Sequence, residues 1–384
     1  MRNRGRSRTG AVRITVYARL VHLSYRVLNR ATLDRQLLLR RAKMPALDAV
    51  RHLAGLQAQA PFPPYYALWT RLHGFRPDDL ARLLLDRRVV RIALMRGTVH
   101  LVTAEDALAW RPLVQTVMTR ALAADSQHKV PLSRVDHALV TKAAVELLAE
   151  RPYSSAELGA ALAERFPDAP AGAHTHLVRN GLPLVQLPPR GVWGKAGQPT
   201  YQHASHWLHA VAAPAPDPAA LVRRYLAAFG PAIIADVQTW SGLTKLSEVV
   251  EPMDLRTYRD PEQRVLYDLP EATLPDEDTP APPRLLGPFD QTVLSYADRT
   301  RVLPEAHRKR LITQNGLVKG ALLVGGHVGG TWETATARGL ATLRLTAFDR
   351  LPKRDVAALE SAGRRLLAWA EPELEHQVAW AEGL

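Results

Sequence analysis

PDDLARLLLDRRVVRIALMRGTVHLVT, residues 77–103, is the stretch whose reading decides the fold. Asp78 and Asp79 fall in the first turn of a helix, where the helix dipole favours acidic side chains. "VVRIALM" and "TVHLVT" then form two apolar, β-branched runs around Arg96-Gly97, the pattern of a hairpin. Three helices are expected upstream. "PPYYALWTRLHGF" is one, and "ATLDRQLLLRRA" is another. Between them a helix opens at Pro45, in the first turn where a missing N–H costs nothing. Leu47, Val50, Leu53 and Ala54 give it an apolar face. It is expected to run to about Gln57, because Pro61, Pro63 and Pro64 cannot continue it. Helices followed by a two-stranded hairpin make a winged helix, a class read here from element order.

The same order returns downstream. "SRVDHALVTKAAVELLAE" and "AHTHLVRNG" read as helices, as does "SSAELGAALAERF", which carries a Ser cap and Glu157 in its first turn. "LPLVQLPPRGVWGKAGQPTYQ" reads as strand, basic turn, strand. "APAPDP" at 213–218 marks a linker. A third helical set follows in "ALVRRYLAAFG", "AIIADVQTWSG" and "LTKLSEVVEPM", with "RVLYDLP" as a strand. The acidic, Pro-rich 271–283 reads as a loop. After Arg284 the period changes to two, and "VLSYA", "LVKGALLVGG", "HVGGTWETA" and "ATLRLTAF" are expected strands. "KRDVAALESAGRRLLAWA" is a closing amphipathic helix. The predicted architecture is α+β, with tandem winged-helix units over 26–130, 131–212 and 219–270. A β-rich, barrel-like module spans 284–384, and a basic arm occupies 1–25.

The chain has 384 residues and no cysteine. That excludes disulfides, thiol nucleophiles, Fe–S clusters and thiolate zinc sites. No window approaches the roughly 18 apolar residues of a membrane-spanning helix, and Arg13 and Arg19 interrupt any secretory core. The cytoplasm is the expected compartment and no membrane partner is expected. The net charge is +13, but its distribution matters more. Residues 1–43 hold eleven Arg and Lys43 against Asp34 alone, so the rest of the chain is nearly neutral. Arg outnumbers Lys 42 to 8. The bias suits phosphate contact, and it also follows from GC-rich coding.

Common catalytic motifs are missing. There is no GxxxxGK[ST] loop and no HExxH, and "VGGHVGG" lacks the spacing of a dinucleotide fingerprint. His203, His206 and His209 would spread over about 120° of a helix. No carboxylate precedes them within ten residues. His174 and His176 lie on the expected recognition helix. No metal site and no cofactor is expected. The informative segment is "VRHLAGLQAQAPFPPYYALWTRL", residues 50–72, in which Gln57 and Gln59 flank Ala58. Two glutamines in an apolar corner need partners if buried, and capping backbone groups would serve.

The chain from about Leu28 onward resembles the AlkZ-like, or YcaQ-like, DNA glycosylases, a family of winged-helix DNA-binding proteins. The motifs that carry the resemblance are "LAGLQAQAP", "RGVWGKAG", "AAFGPAIIADVQTWSGL", "GPFDQTVLSYADRTRVL" and "HVGGTW". The resemblance implies tandem winged helices around a C-shaped DNA channel. It also implies a monomeric, monofunctional glycosylase, nucleoid-associated, acting on N-alkylated purines in double-stranded DNA. Some family members unhook interstrand crosslinks as self-resistance enzymes. The family's catalytic element is Gln-apolar-Gln or Gln-apolar-Asp. Gln57-Ala58-Gln59 matches the first kind, which is associated with crosslinks and bulky natural-product adducts.

That chemistry is physically coherent. A glutamine amide is not a base and only orients water by hydrogen bonds. This suffices when the leaving group is a cationic alkylated purine. Gln57 and Gln59 are therefore the expected catalytic residues. The expected DNA contacts are Arg91, Arg96 and His100 on the first hairpin. On the second unit they are Arg179, Arg190, Trp193 and Lys195, with Trp193 as a wedge. Trp332 is expected in the core. Asp290, Tyr296, Arg299, Arg301 and His327 receive no role. The competing reading is a non-catalytic winged-helix regulator or drug-sequestering protein.

Overall fold

The computed structural model describes residues 21–212 and 215–381. The helices-then-hairpin order occurs three times along the chain. Helices Ala46–His52, Pro63–Arg71 and Pro77–Leu85 precede strands Val89–Ala93 and Val99–Thr103. Helices His137–Glu150, Ser155–Arg165 and Ala171–Gly181 precede Leu184–Gln186 and Thr200–His203. Helices Pro218–Phe229, Ile234–Ser241 and Ser247–Val250 precede Arg256–Arg259 and Val265–Asp268. Local chemistry explains the starts. Ser154 and Glu157 form a reciprocal capping box, and Asp136 and Asp217 accept backbone N–H bonds at their helix starts.

The first two hairpins are not separate wings. Val89–Ala93 pairs antiparallel with Leu184–Gln186, setting Arg91 opposite Gln186. One six-stranded sheet therefore runs through both units, so the expected boundary at 130/131 divides the chain but not the sheet. Three further helices, Ala104–Leu113, Gln115–Ala124 and Ser126–Leu132, connect the two units.

The C-terminal module corrects the barrel expectation. It is an open five-stranded sheet, in the order Arg284–Leu286, Gly320–Val324, His327–Ala337, Leu340–Ala347 and Glu375–Trp380. The last strand adds parallel to Leu340–Ala347 and was not expected. Helix Lys353–Ala370 makes that parallel return possible, burying Leu359, Leu366 and Leu367 against the sheet. "VLSYA" is not a strand. A single-turn 3₁₀ helix, Gln291–Val293, occupies its start, capped by Asp290.

Two further corrections concern the N-terminal region. The arm was expected to reach residue 25, but Val21–His22 pairs parallel with Arg256–Arg259. Residues 1–20 of that arm lie outside the described residues. The helix expected over 31–42 instead spans Tyr25–Arg35. It stops where Leu37 takes a left-handed conformation (φ 56°).

Candidate active site

Gln57 does not end a helix. Helix Ala46–His52 stops early because Ala54 and Gly55 both turn left-handed, at φ 55° and 84°. A Cβ on Gly55 would lie 2.5 Å from Val102 Cγ1, so only glycine fits this reversal. The chain re-emerges as the short strand Leu56–Gln57, with Gln57 opposite His100. Leu56 and Ala58 join the apolar core. Ala58 N–H donates to the Val99 carbonyl (2.7 Å). Gln57, nearly buried, and Gln59, exposed, flank that anchor.

Each glutamine is held through its carbonyl oxygen. Arg96 Nη2 donates to Gln57 Oε1 (2.8 Å) and Val99 N–H donates to Gln59 Oε1 (3.2 Å). Both partners are donors only, which fixes the amide orientation. Each oxygen keeps a second lone pair. Neither side-chain NH2 group donates to a protein group among the described residues. Such a pair of amides can offer one water both donors and acceptors.

Arg96 was expected to grip phosphate at a hairpin tip. It turns inward instead, its backbone left-handed at φ 56°, with Nη1 donating to the Trp240 carbonyl (2.7 Å). Burial and the neighbouring Arg299 lower its pKa to about 10. Trp240 Nε1–H donates to Gln291 Oε1 (3.1 Å), and Gln291 Nε2 donates to the Gly55 carbonyl. A closed chain of contacts thus joins "LAGLQAQAP", "TWSGL" and "GPFDQTVLSYADRTRVL". These distant motifs converge behind Gln57.

Two more expected DNA contacts also lie inside. His100 is fully buried and its Nδ1 meets the Thr98 carbonyl (3.0 Å). Burial, then Arg96, push its pKa down to about 3, so it is a neutral ring. Its Nε2 has no hydrogen-bond partner among the described residues. Arg91, also fully buried, donates to the Ala58 carbonyl (2.9 Å) and to Gln186 Oε1 (3.2 Å). It braces the motif strand against the second unit. Arg91 stands opposite Leu101 and His100 opposite Ile92, so the two point to opposite faces of the six-stranded sheet, and both faces are buried there.

Trp193 is not a free wedge. Its ring packs with Phe62, Tyr65, Tyr66 and Trp369 at centroid distances of 5.3, 5.0, 5.6 and 5.0 Å. Its backbone N–H and the Gly191 carbonyl both bond Tyr65 Oη (3.1 and 2.7 Å). Arg179 and Lys195 are exposed. Arg190 is half-buried and ties its own loop through the Gly197 carbonyl (2.8 Å). His174 is buried with Nε2 on the Phe166 carbonyl (2.9 Å).

Of the residues left without a role, Asp290, Tyr296 and Arg301 serve the fold. Asp290 forms a buried bidentate pair with Arg71 (2.7 and 2.8 Å). Arg71 holds the Asp290 carboxyl below its ordinary value against the opposing effect of burial. Tyr296 Oη donates to the Phe229 carbonyl (2.7 Å) and meets Thr32 Oγ1 (2.8 Å). Arg301 Nη1 donates to the Pro231 carbonyl (3.0 Å). Trp332 is buried, with Nε1–H on the Leu286 carbonyl (2.7 Å).

Comparison with known proteins follows the same outline. Residues 50–369 match the family model described as "DNA glycosylase AlkZ-like". A curated relative, "Interstrand DNA cross-link repair glycosylase" of Streptomyces sahachiroi, is 26% identical over 353 residues. That alignment covers 84% of this chain and 91% of the relative. The solved structure of Streptomyces sahachiroi DNA glycosylase AlkZ superposes with a TM-score of 0.74 at 23% identity. It covers 94% of this chain and all of the other. No helix among the described residues is long and apolar enough to cross a membrane.

Proposed function

Since the chain belongs to the AlkZ-like DNA glycosylase family, we propose that it is a monofunctional glycosylase whose Gln57 and Gln59 direct water at the sugar of an N-alkylated purine. The observation that carries this reading is the pair of glutamine amides fixed through their carbonyl oxygens, with their NH2 groups uncommitted. The water oxygen bonds C1′ as the C1′–N9 bond breaks. The bonding electron pair goes to the cationic purine, which leaves neutral, and the water's proton passes to solvent. No general base is needed, because the alkyl group has already made the base a good leaving group. The developing oxocarbenium needs a positioned nucleophile and nearby negative charge, and the DNA phosphates supply part of the latter.

Bulky natural-product adducts and interstrand crosslinks are the proposed substrates. The second Gln of the motif supports this, as does the name of the Streptomyces sahachiroi relative. On this reading the helix-and-hairpin units act as winged helices around one DNA channel. Exposed Arg179 and Lys195, with Arg190, are the candidates for phosphate contact there. The test is incubation with DNA carrying N7-alkylguanine, assayed for free base and heat-labile abasic sites, with a defined crosslink alongside. Gln57→Ala and Gln59→Ala are each expected to slow release on the order of 100-fold while DNA binding persists. Binding without release by the native protein would favour a regulator, and full activity in the double variant would sink the assignment.

A further inference from the structure

We propose that Asp125, His128 and His176 form a binding site for a divalent transition-metal ion of the zinc type, fastening helix Ser126–Leu132 to helix Ala171–Gly181. The three ligand atoms lie within 4.8 Å of one another. Asp125 Oδ2 is 2.8 Å from His128 Nδ1 and 2.9 Å from His176 Nε2. Ligand atoms placed about 2.0–2.2 Å from a tetrahedral zinc ion stand about 3.3–3.6 Å apart, so small side-chain movements would enclose an ion.

The arrangement is specific in how it divides the carboxylate. Oδ1 of Asp125 already caps its helix, accepting from Gln127 N–H (2.8 Å) and His128 N–H (3.4 Å). Oδ2 alone faces both imidazoles. The rings stack at 4.7 Å, 16° from parallel, which concentrates two nitrogens and one oxygen on one point. The three side chains are 19–28% exposed, which leaves a coordination position for water.

Two imidazoles and a carboxylate suit zinc better than magnesium or calcium. None of the three residues takes part in the Gln57 network, so the site stands apart from the glycosylase chemistry. Its effect is to lock the connector between the first two units onto the helix that carries Arg179.

The experiment uses the full-length chain without a histidine tag, stripped with EDTA. Zinc titration by calorimetry is expected to show one saturable site, and cobalt(II) a visible spectrum of nitrogen and oxygen ligation. Zinc is expected to raise the melting temperature. His176→Gln keeps a donor for Asp125 but removes the imidazole. It should retain the fold and weaken zinc by more than about 100-fold, beyond what loss of an outer-shell partner costs. His128→Gln should behave alike. Absence of saturable binding in the native chain would overturn the proposal. So would unchanged affinity in both variants.

Discussion

Arg96 is the residue on which the geometry of Gln57 turns. It is the only cation hydrogen-bonded to that amide among the described residues, and it is held by the Trp240 carbonyl. Arg96→Ala is expected to lower the rate of base release by up to about 100-fold with little change in DNA affinity. Arg96→Lys should not restore it, because one ammonium cannot span both acceptors as the guanidinium does. Single-turnover kinetics on N7-alkylguanine DNA would read this. The proposed catalytic pair carries no ionisable group, so that rate should stay flat with pH until Arg96 deprotonates near 10. His100 adds a stability term of definite sign. Its folded pKa, about 3, lies below the ordinary 6.5, so between these values the unfolded chain binds the extra proton. Its contribution is complete above about pH 6.5 and is lost as pH falls towards 3. His100→Asn should flatten that part of the stability-versus-pH curve in denaturant titrations. The glutamines could be picked out from the sequence only through the family resemblance, because a Gln-Ala-Gln corner read by itself serves equally well to cap backbone groups. The inward turn of Arg91, Arg96 and His100 could not, because strand alternation does not say whether both faces of a sheet are covered.

At the element scale the decisive piece is the reversal at Ala54-Gly55, which converts the end of a helix into a strand and aims the motif. Gly55→Ala would force a Cβ to 2.5 Å from Val102 Cγ1 in a left-handed backbone. The left-handed backbone alone costs about 1–2 kcal/mol, and the overlap adds to it. We expect a melting temperature several degrees lower and a loss of base release larger than the loss of stability explains. Helix and hairpin order was readable from periodicity, caps and glycine turns. The reversal was not, because Leu53 and Ala54 continue the helical apolar spacing into the break itself. The metal-ligand cluster was invisible for another reason. Spacing sets His176 beside His174 on one helix, whereas the fold turns His174 into the core and brings His128 to His176 across 48 positions.

Across the whole molecule, long-range polar pairs hold the units together. Arg71–Asp290 joins the first helical set to the C-terminal module, both side chains about 1% exposed. Asp290→Ala would leave a buried guanidinium without its counter-charge and should cost about 3–5 kcal/mol, measurable as a shift in urea midpoint. Arg71→Met, which leaves the carboxylate stranded, should cost about as much. Charge at this scale behaves differently. Removing residues 1–20 deletes six arginines and should flatten the salt slope of DNA binding by up to about 5 while base release persists. The cut belongs at 20, since Val21–His22 is part of a sheet. Architecture at this level was the least legible, because nothing local in residues 89–93 or 184–186 announces that the two hairpins pair. The same pairing of Val21–His22 with Arg256–Arg259 has a consequence for biosynthesis. A ribosome adding about 5–20 residues per second delivers the partner strand roughly ten to fifty seconds after the first. Throughout that interval the nascent chain carries Val21–His22 unmatched, and Tyr25–Arg35 waits with it for helix Pro218–Phe229. The earliest-made of the described strands is therefore among the last to be secured.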